Sequence, residues 1–192
     1  MSTDNFNLID IIIAFLRFRK LKKYIDNNDI LLDFGCGYQA YFLRHIASSL
    51  RIGVGVDIHL QPKKIRNLLL KKYKFENKLP FKTNYFSKIS MFAVLEHVQL
   101  SKVKILFQEF ARVLKPEGIV ILTTPTPKSK NILEFLAFKL HVISSDEIGD
   151  HKKYYSKDDI SELLAKTGFI ILHYETFMLG LNSFYILKKS VT

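Results

Sequence analysis

Short apolar segments alternate with helical patterns along the N-terminal half of the chain. The apolar segment 30–34 precedes a helical pattern over 40–50, and the segment 52–57 precedes another over 62–70. Neighbouring parallel strands need a crossover connection, usually a helix, so this alternation predicts a parallel sheet with helices on both faces. The chain is therefore predicted to adopt an α/β fold.

The C-terminal half is predicted to end in strands of opposite direction. Ser156, with Asp159 three residues later, is typical of a helix N-terminus. The apolar segments 169–177 and 181–188 are joined too tightly for a crossover, so they must be antiparallel. The remaining predicted elements are the strands 72–76, 88–94 and 118–124 and the helix 101–114, which ends at a Lys-Pro-Glu-Gly turn.

Length and composition indicate one domain. A chain of 192 residues with 48% hydrophobic residues can fill a single core, so we predict one domain over 1–192. The N-terminal helix, predicted within 1–25, either caps that core or lies on a membrane surface. The segment 125–155 interrupts the alternation as an insertion. The single cysteine, Cys36, allows no intrachain disulfide and indicates a reducing, cytoplasmic compartment.

The chain is strongly basic, with 29 Lys and Arg against 18 Asp and Glu and a formal charge of +11. Such a charge favours an anionic partner. Most of it falls in one segment, 60–90, which holds one acid, Glu76, and nine bases: Lys63, Lys64, Arg66, Lys71, Lys72, Lys74, Lys78, Lys82 and Lys88. This segment is either a solvated basic face or, with the basic end of the first helix, a surface for an anionic acceptor carrier or membrane.

Glycines and carboxylates follow the first two predicted strands, where an open α/β sheet binds its ligand. Gly35 and Gly37 allow a tight turn and a close approach of backbone N–H groups, and Asp33 precedes them. Asp57 ends the second strand and could accept both ribose hydroxyls of a nucleoside. A dinucleotide site expects a third glycine where Ala40 stands, and its diphosphate would be repelled by Asp33. The pattern instead favours a nucleoside with a positive charge.

Six stretches stand in a defined order along the chain: LLDFGCG at 31–37, VGVDI at 54–58, LPF at 79–81, FAVLEHV at 92–98, EFARVLKPEGIVILTTP at 109–125 and HKKYYSKDDISELLAKTGF at 151–169. In this order and spacing, they resemble the motifs of the class I S-adenosylmethionine-dependent methyltransferases, especially the broad group that acts on small molecules. The resemblance covers residues 28–188 and implies a Rossmann-like, doubly wound seven-stranded sheet with an antiparallel last strand.

The resemblance also implies a cofactor site for S-adenosyl-L-methionine. It places Asp57 on the ribose and Ile58 on the adenine, and it leaves either Glu76 or Asn77 to face the adenine amino group. The other implied cofactor-binding residues are Asp33, Gly35, Cys36 and Gly37 around the methionine part, and the backbone of Phe92 and Ala93 near the methyl group.

Two histidines are candidate general bases for the acceptor. His97 follows the fourth predicted strand, and His151 ends the insertion that is expected to cover the acceptor. Each could equally serve a local structural purpose, as a histidine bonded near a helix start or one that pins a loop. Methyl transfer needs alignment more than a base, so neither is obligatory. The sequence pattern indicates no metal-ligand set.

The leading hypothesis is an enzyme that methylates a small molecule or a glycan or lipid precursor. A nucleic-acid methyltransferase would suit the charge, but Phe92-Ala93-Val94-Leu95 lacks the Asn/Asp-Pro-Pro-aromatic run of enzymes that methylate adenine amino groups. Cys36 lies in the cofactor loop, so it cannot attack cytosine. A non-catalytic S-adenosylmethionine-binding subunit is the third hypothesis.

Overall fold

A computed structural model describes residues 16–133 and 149–190, which build one mixed sheet of eight strands in the order β3-β4-β2-β1-β5-β6-β8-β7. The strands β4, β2, β1, β5 and β6 are parallel, whereas β8 runs antiparallel between β6 and β7. The strands are β1 (Ile30–Phe34), β2 (Ile52–Asp57), β3 (Lys63–Ile65), β4 (Leu68–Lys72), β5 (Phe86–Phe92), β6 (Leu114–Pro125), β7 (Phe169–Phe177) and β8 (Asn182–Lys189).

Helices of the described residues precede β1 and lie in three of the connections between consecutive strands: β1–β2, β5–β6 and β6–β7. The helix predicted over 101–114 is present as Leu100–Val113, and the helix predicted to start at Ser156 is present as Lys157–Ala165, with Ser156 as its N-cap. The helices are α1 (residues 16–21), α2 (Tyr41–His45), α3 (Leu100–Val113), α4 (residues 130–133) and α5 (Lys157–Ala165), with 3₁₀ turns at Lys22–Tyr24, Ala47–Ser49, Leu95–His97 and Pro127–Ser129. The start of the N-terminal helix and most of the predicted insertion lie outside the described residues. Within the described ranges, no helix has the length and apolar character needed to cross a bilayer.

Apolar side chains from the sheet build a separate core on each face. Along β1, Leu32 packs in one core with Phe107 and Phe110 of α3. Leu31, its neighbour, points into the other core with Leu43 of α2. Successive residues of a strand face opposite sides, so a central strand must be apolar at every position to fill both cores. The predicted doubly wound α/β fold is thereby confirmed, with one strand more than the predicted seven.

The extra strand corrects the helix predicted over 62–70. Residues of β3 and β4 pair antiparallel as a hairpin, and β4 takes the place of the strand predicted over 72–76. Along β4, Leu68 and Leu70 are buried and Leu69 is partly exposed, which is the period of a strand. The side-chain amide of Asn67 fixes the turn by donating to the carbonyls of Ala47 and Leu50, both at 2.8 Å.

Candidate functional site

The glycine loop after β1 is tied to β2 by backbone bonds. Gly35 donates its N–H to the carbonyl of Val56 at 2.9 Å, and Gly37 donates to Oδ2 of Asp57 at 3.0 Å. Both glycines have positive φ angles, +75° and +71°, which residues with a Cβ adopt only with strain. The sequence therefore needs glycine here to turn the chain back against the end of β2.

Asp57 lies between two loops and holds both. Its Oδ2 accepts from Gly37, and its Oδ1 accepts from the backbone N–H of His59 at 2.8 Å. A carboxylate offers about four lone-pair positions, so two acceptor positions stay available for ribose hydroxyls. Ile58, half exposed at 49%, is its neighbour and offers an apolar surface to an adenine ring. Asp57 and Ile58 thus lie beside the glycine loop, as predicted for the ribose and adenine of a nucleoside.

The segment after β5 closes against the glycine loop. A Cβ on Gly35 would lie 2.3 Å from Cγ2 of Val94, so only glycine lets these two segments approach so closely. Ala93 has a φ of +52° and donates its N–H to the carbonyl of Thr123 at 3.0 Å. The ring of Phe92 meets that of Phe42 edge-on, with centroids 5.0 Å apart. Phe92 and Ala93 therefore lie on the same edge of the sheet as the loop.

Asp33 is buried beneath the glycine loop. Ser90 of β5 donates its hydroxyl to Oδ1 of Asp33 at 2.7 Å. Burial raises the pKa of Asp33 to about 7, although the bond from Ser90 lowers it, and the charge of Asp57 raises it further. A cationic ligand over this loop would favour the ionised form of Asp33.

Cys36 fills space between the loop and β2. A Cβ on Gly55 would lie 2.9 Å from Sγ of Cys36, so the thiol rests on the bare backbone of that glycine. Burial, followed by the charges of Asp33 and Asp57, raises the pKa of the Cys36 thiol well above its ordinary value. The thiol therefore stays protonated and is a poor nucleophile.

The two candidates for the adenine amino group lie farther out. Tyr73 donates its N–H to the carbonyl of Asp57 at 2.9 Å, so the segment that follows β4 starts beside the ribose residue. Glu76 and Asn77 are exposed, and the carboxylate of Glu76 is paired with Lys102 of α3. That hydrogen bond to Lys102 lowers the pKa of Glu76. An adenine contact by Glu76 would require this pair to open, and the assignment stays a prediction.

The structure brings the two candidate histidines together, with Glu96 beside them. The rings of His97 and His151 meet edge-on, with centroids 4.8 Å apart. One ring nitrogen of each histidine and one carboxylate oxygen of Glu96 all lie within 4.8 Å of one another. Nδ1 of His97 lies 3.3 Å from Oδ2 of Asp150. Sequence reasoning missed Glu96 and Asp150, although each directly precedes one of the chosen histidines.

Burial shifts the acid–base behaviour of this cluster. Glu96 is almost fully buried, which raises its pKa, and Thr124 at the end of β6 donates to its Oε2 at 3.2 Å. Burial, followed by the charge of His97, lowers the pKa of His151 to about 4. The backbone N–H of Lys152 donates to the carbonyl of Glu96 at 2.6 Å. This bond holds the end of the insertion against the turn that follows β5.

Comparisons with known proteins find sequence similarity to methyltransferases. A family model described as a methyltransferase domain matches residues 8–174. The ubiquinone/menaquinone biosynthesis C-methyltransferase of Desulfotalea psychrophila is 31% identical over 119 residues, covering 54% of this chain and 48% of that protein. The chain thus aligns with about half the length of this curated relative.

Solved structures share the fold. An S-adenosylmethionine-dependent methyltransferase of Mesorhizobium loti superposes with a TM-score of 0.68 at 16% identity, covering 89% of this chain and 96% of that one. One from Methanosarcina mazei gives a TM-score of 0.65 at 20% identity, covering 90% and 98% of the two chains. At these identities the likeness shows the fold alone.

Proposed function

Because this chain belongs to the class I S-adenosylmethionine-dependent methyltransferase family, we propose that it transfers a methyl group to a small molecule or to a glycan or lipid precursor. S-Adenosyl-L-methionine is the methyl donor of this family. One observation carries the proposal. Asp57 holds the glycine loop through Gly37 and the next loop through His59, which shapes a nucleoside site where the parallel strands end.

The site suits a cationic donor and a displacement at carbon. Asp33 and Asp57 place two carboxyl groups at the glycine loop, and a sulfonium gains from negative charge near it. Methyl transfer forms a bond from the acceptor to the methyl carbon while the carbon–sulfur electron pair returns to sulfur. Holding the two reactants in line supplies much of the acceleration. The protein's task at this edge is therefore mainly to bind and align.

His97 and His151 are proposed to face the acceptor. His97 donates its backbone N–H to the carbonyl of Val94 at 3.0 Å, Val94 packs on Gly35, and His151 contacts His97, so the pair lies near the place where the methyl group is expected. Burial keeps His151 neutral at ordinary pH, and a neutral imidazole can accept a proton from an acceptor group. The relative from Desulfotalea psychrophila is named as a C-methyltransferase that acts in quinone biosynthesis, which supports a small-molecule acceptor here.

An anionic acceptor, or an acceptor carried at a membrane surface, is the proposed partner. The β3–β4 hairpin exposes Lys63, Lys64 and Arg66 at one edge of the sheet, and no ion pair within the described residues involves them. Other bases of the segment 60–90 are used internally, since Lys88 pairs with Asp29 and Lys74 with Glu76. The hairpin therefore keeps a local excess of positive charge.

Calorimetry with S-adenosylmethionine and with its demethylated product tests the binding half of the proposal. We expect one molecule of either ligand per chain, and no heat at ligand concentrations up to about 1 mM would contradict the function. Transfer of a labelled methyl group to a panel of hydroxyl, amine and activated-carbon acceptors tests the chemical half. Binding without transfer to any acceptor would favour the non-catalytic subunit.

A further inference from the structure

Three side chains with metal-binding atoms meet where β5 and the insertion end. Glu96 and His97 come from the turn after β5, and His151 comes from the chain more than fifty residues later. Their donor atoms all lie within 4.8 Å of one another. A tetrahedral ion with bonds of about 2.0–2.1 Å places its ligand atoms roughly 3.4 Å apart, so small side-chain rotations would close the set.

Glu96 supplies a buried carboxylate to this cluster. Glu96 is 1% exposed, and the side-chain hydrogen bond that it receives within the described residues comes from Thr124 at 3.2 Å. Arg17 lies close enough for its charge to favour the ionised carboxylate. A buried carboxylate is normally paired with a cation or bound to a metal. A divalent ion beside the two imidazoles would bind this carboxylate directly.

The two histidines are arranged as metal ligands usually are. Nδ1 of His151 is buried without a hydrogen-bond partner among the described residues. Nδ1 of His97 is directed at Asp150, which leaves Nε2 as the free donor atom of that ring. Metal-binding histidines commonly give their second nitrogen to a carboxylate in this way, which fixes the ring orientation.

We propose that Glu96, His97 and His151 form a binding site for a divalent transition-metal ion, with Asp150 orienting His97. Two imidazoles and one carboxylate suit Zn²⁺ and its neighbours in the first row better than Mg²⁺ or Ca²⁺. Three protein ligands leave a coordination position open, as in zinc sites that act on a substrate.

The open position gives the site a task that rests on the proposed function. With both imidazoles bound to the ion, the ion activates the acceptor in place of a histidine acting as a base. An acceptor hydroxyl bound there would lose its proton to solvent more readily than a free hydroxyl. The oxygen would then form the bond to the methyl carbon, and the carbon–sulfur electron pair would return to sulfur, giving an ether and the neutral thioether. The site therefore selects hydroxyl-bearing acceptors and makes oxygen the atom that is methylated.

Titration of the metal-free, untagged full chain with Co²⁺ tests the site without any methyl transfer. We expect one Co²⁺ per chain, with visible absorption bands that Zn²⁺ abolishes by displacement. His97→Ala and His151→Ala should each weaken Co²⁺ binding by at least about tenfold. His173→Ala is the matched control, because His173 pairs with Glu175 on β7 and should leave the titration unchanged.

A Glu96 variant and a titration with S-adenosylmethionine complete the test of the metal site. Glu96→Gln keeps the shape of the side chain but removes its charge, and it should weaken Co²⁺ binding while circular dichroism shows a folded chain. No absorption bands up to about 1 mM Co²⁺, or unchanged affinity in His97→Ala and His151→Ala, would overturn the site. Calorimetry with S-adenosylmethionine on the same samples separates the two proposals, since failure of cofactor binding contradicts the function but not the metal site.

Discussion

Asp33 is the residue whose protonation should be visible in the stability of the protein. Its pKa rises from 3.8 to about 7 on folding, so the native state holds a proton that the unfolded chain releases. The stabilisation is complete below the unfolded value and is lost as pH rises through about 7. Since one pKa unit corresponds to about 1.4 kcal/mol, the loss is on the order of a few kcal/mol.

Urea unfolding at a series of pH values from about 4 to about 8 checks this. The wild type should lose stability over this range relative to Asp33→Asn, whose amide cannot ionise and can still accept from Ser90. Parallel profiles for the two proteins would show that Asp33 keeps its ordinary pKa.

Asp57→Ala should remove most of the cofactor affinity. The change deletes the acceptors for two ribose hydroxyls and also frees the N–H groups of Gly37 and His59. Hydrogen bonds to a charged group contribute roughly 1.5 to 3 kcal/mol each, so we expect at least about a hundredfold weaker binding by calorimetry. Asp57→Asn, which keeps one acceptor oxygen, should bind with intermediate affinity. A loss of less than about threefold in Asp57→Ala would show that the ribose lies elsewhere.

The site residues that could be predicted from the sequence are those whose position depends only on the neighbouring strand. Gly35 and Gly37 follow β1 and Asp57 ends β2, so their place at the sheet edge follows from the strand prediction alone. Glu96 was missed because an isolated glutamate after a strand has no special pattern. Its position beside His151 depends on how the end of the insertion returns to the sheet, and no spacing rule predicts that contact.

At the scale of elements, the glycine loop allows two costs of replacing glycine to be compared: backbone strain at a positive φ, and a steric clash of the added Cβ. Gly35 and Gly37 both have positive φ, but only at Gly35 would a Cβ collide with Val94. Gly37→Ala should therefore cost about 1 kcal/mol of strain, and Gly35→Ala distinctly more, in urea unfolding. The double change Gly35→Ala with Val94→Ala should recover part of the difference. Equal costs for the two single variants would show that the loop relaxes around the new methyl group.

The N-terminus of α5 is stabilised by a reciprocal cap. Ser156 accepts from the N–H of Asp159 at 3.1 Å, and Asp159 accepts from the N–H of Ser156 at 2.8 Å. Ser156→Ala should destabilise the protein by about 1 kcal/mol in urea unfolding. Ser161→Ala, an exposed change within the same helix, is the control and should have little effect. Equal stability of the two variants would mean that the helix start is held by other contacts.

The β3–β4 hairpin shows where an element could not be predicted. Its leucines and lysines favour helix, and a helix is the usual connection between parallel strands. The bonds from Asn67 to Ala47 and Leu50 instead fix a turn, and they depend on a segment distant in sequence. The alternation of Leu68, Leu69 and Leu70 was the available signal, but three residues are too few to outweigh propensity.

For the molecule as a whole, the basic hairpin should give salt-sensitive binding to anionic surfaces. Each base near such a surface contributes about 1 kcal/mol, so Lys63→Gln with Lys64→Gln should weaken pelleting with anionic vesicles roughly tenfold or more. Lys104→Gln with Lys115→Gln changes the net charge equally at other exposed positions and is the control. Binding that fades with added salt in the wild type is expected. No binding to anionic vesicles at low salt, or equal loss in both variants, would contradict the proposed surface.

The two outer strands of the sheet differ in how they would meet a second copy of the chain. The strand β3 has three residues, two of them exposed lysines, and short charged edges discourage pairing with another sheet. The strand β7 has nine residues, and its Ile170 and Leu172 are exposed. Among the described residues, no strand pairs with its outer side. Any tendency of this protein to aggregate should therefore begin at β7, which is where a solubilising lysine would be placed.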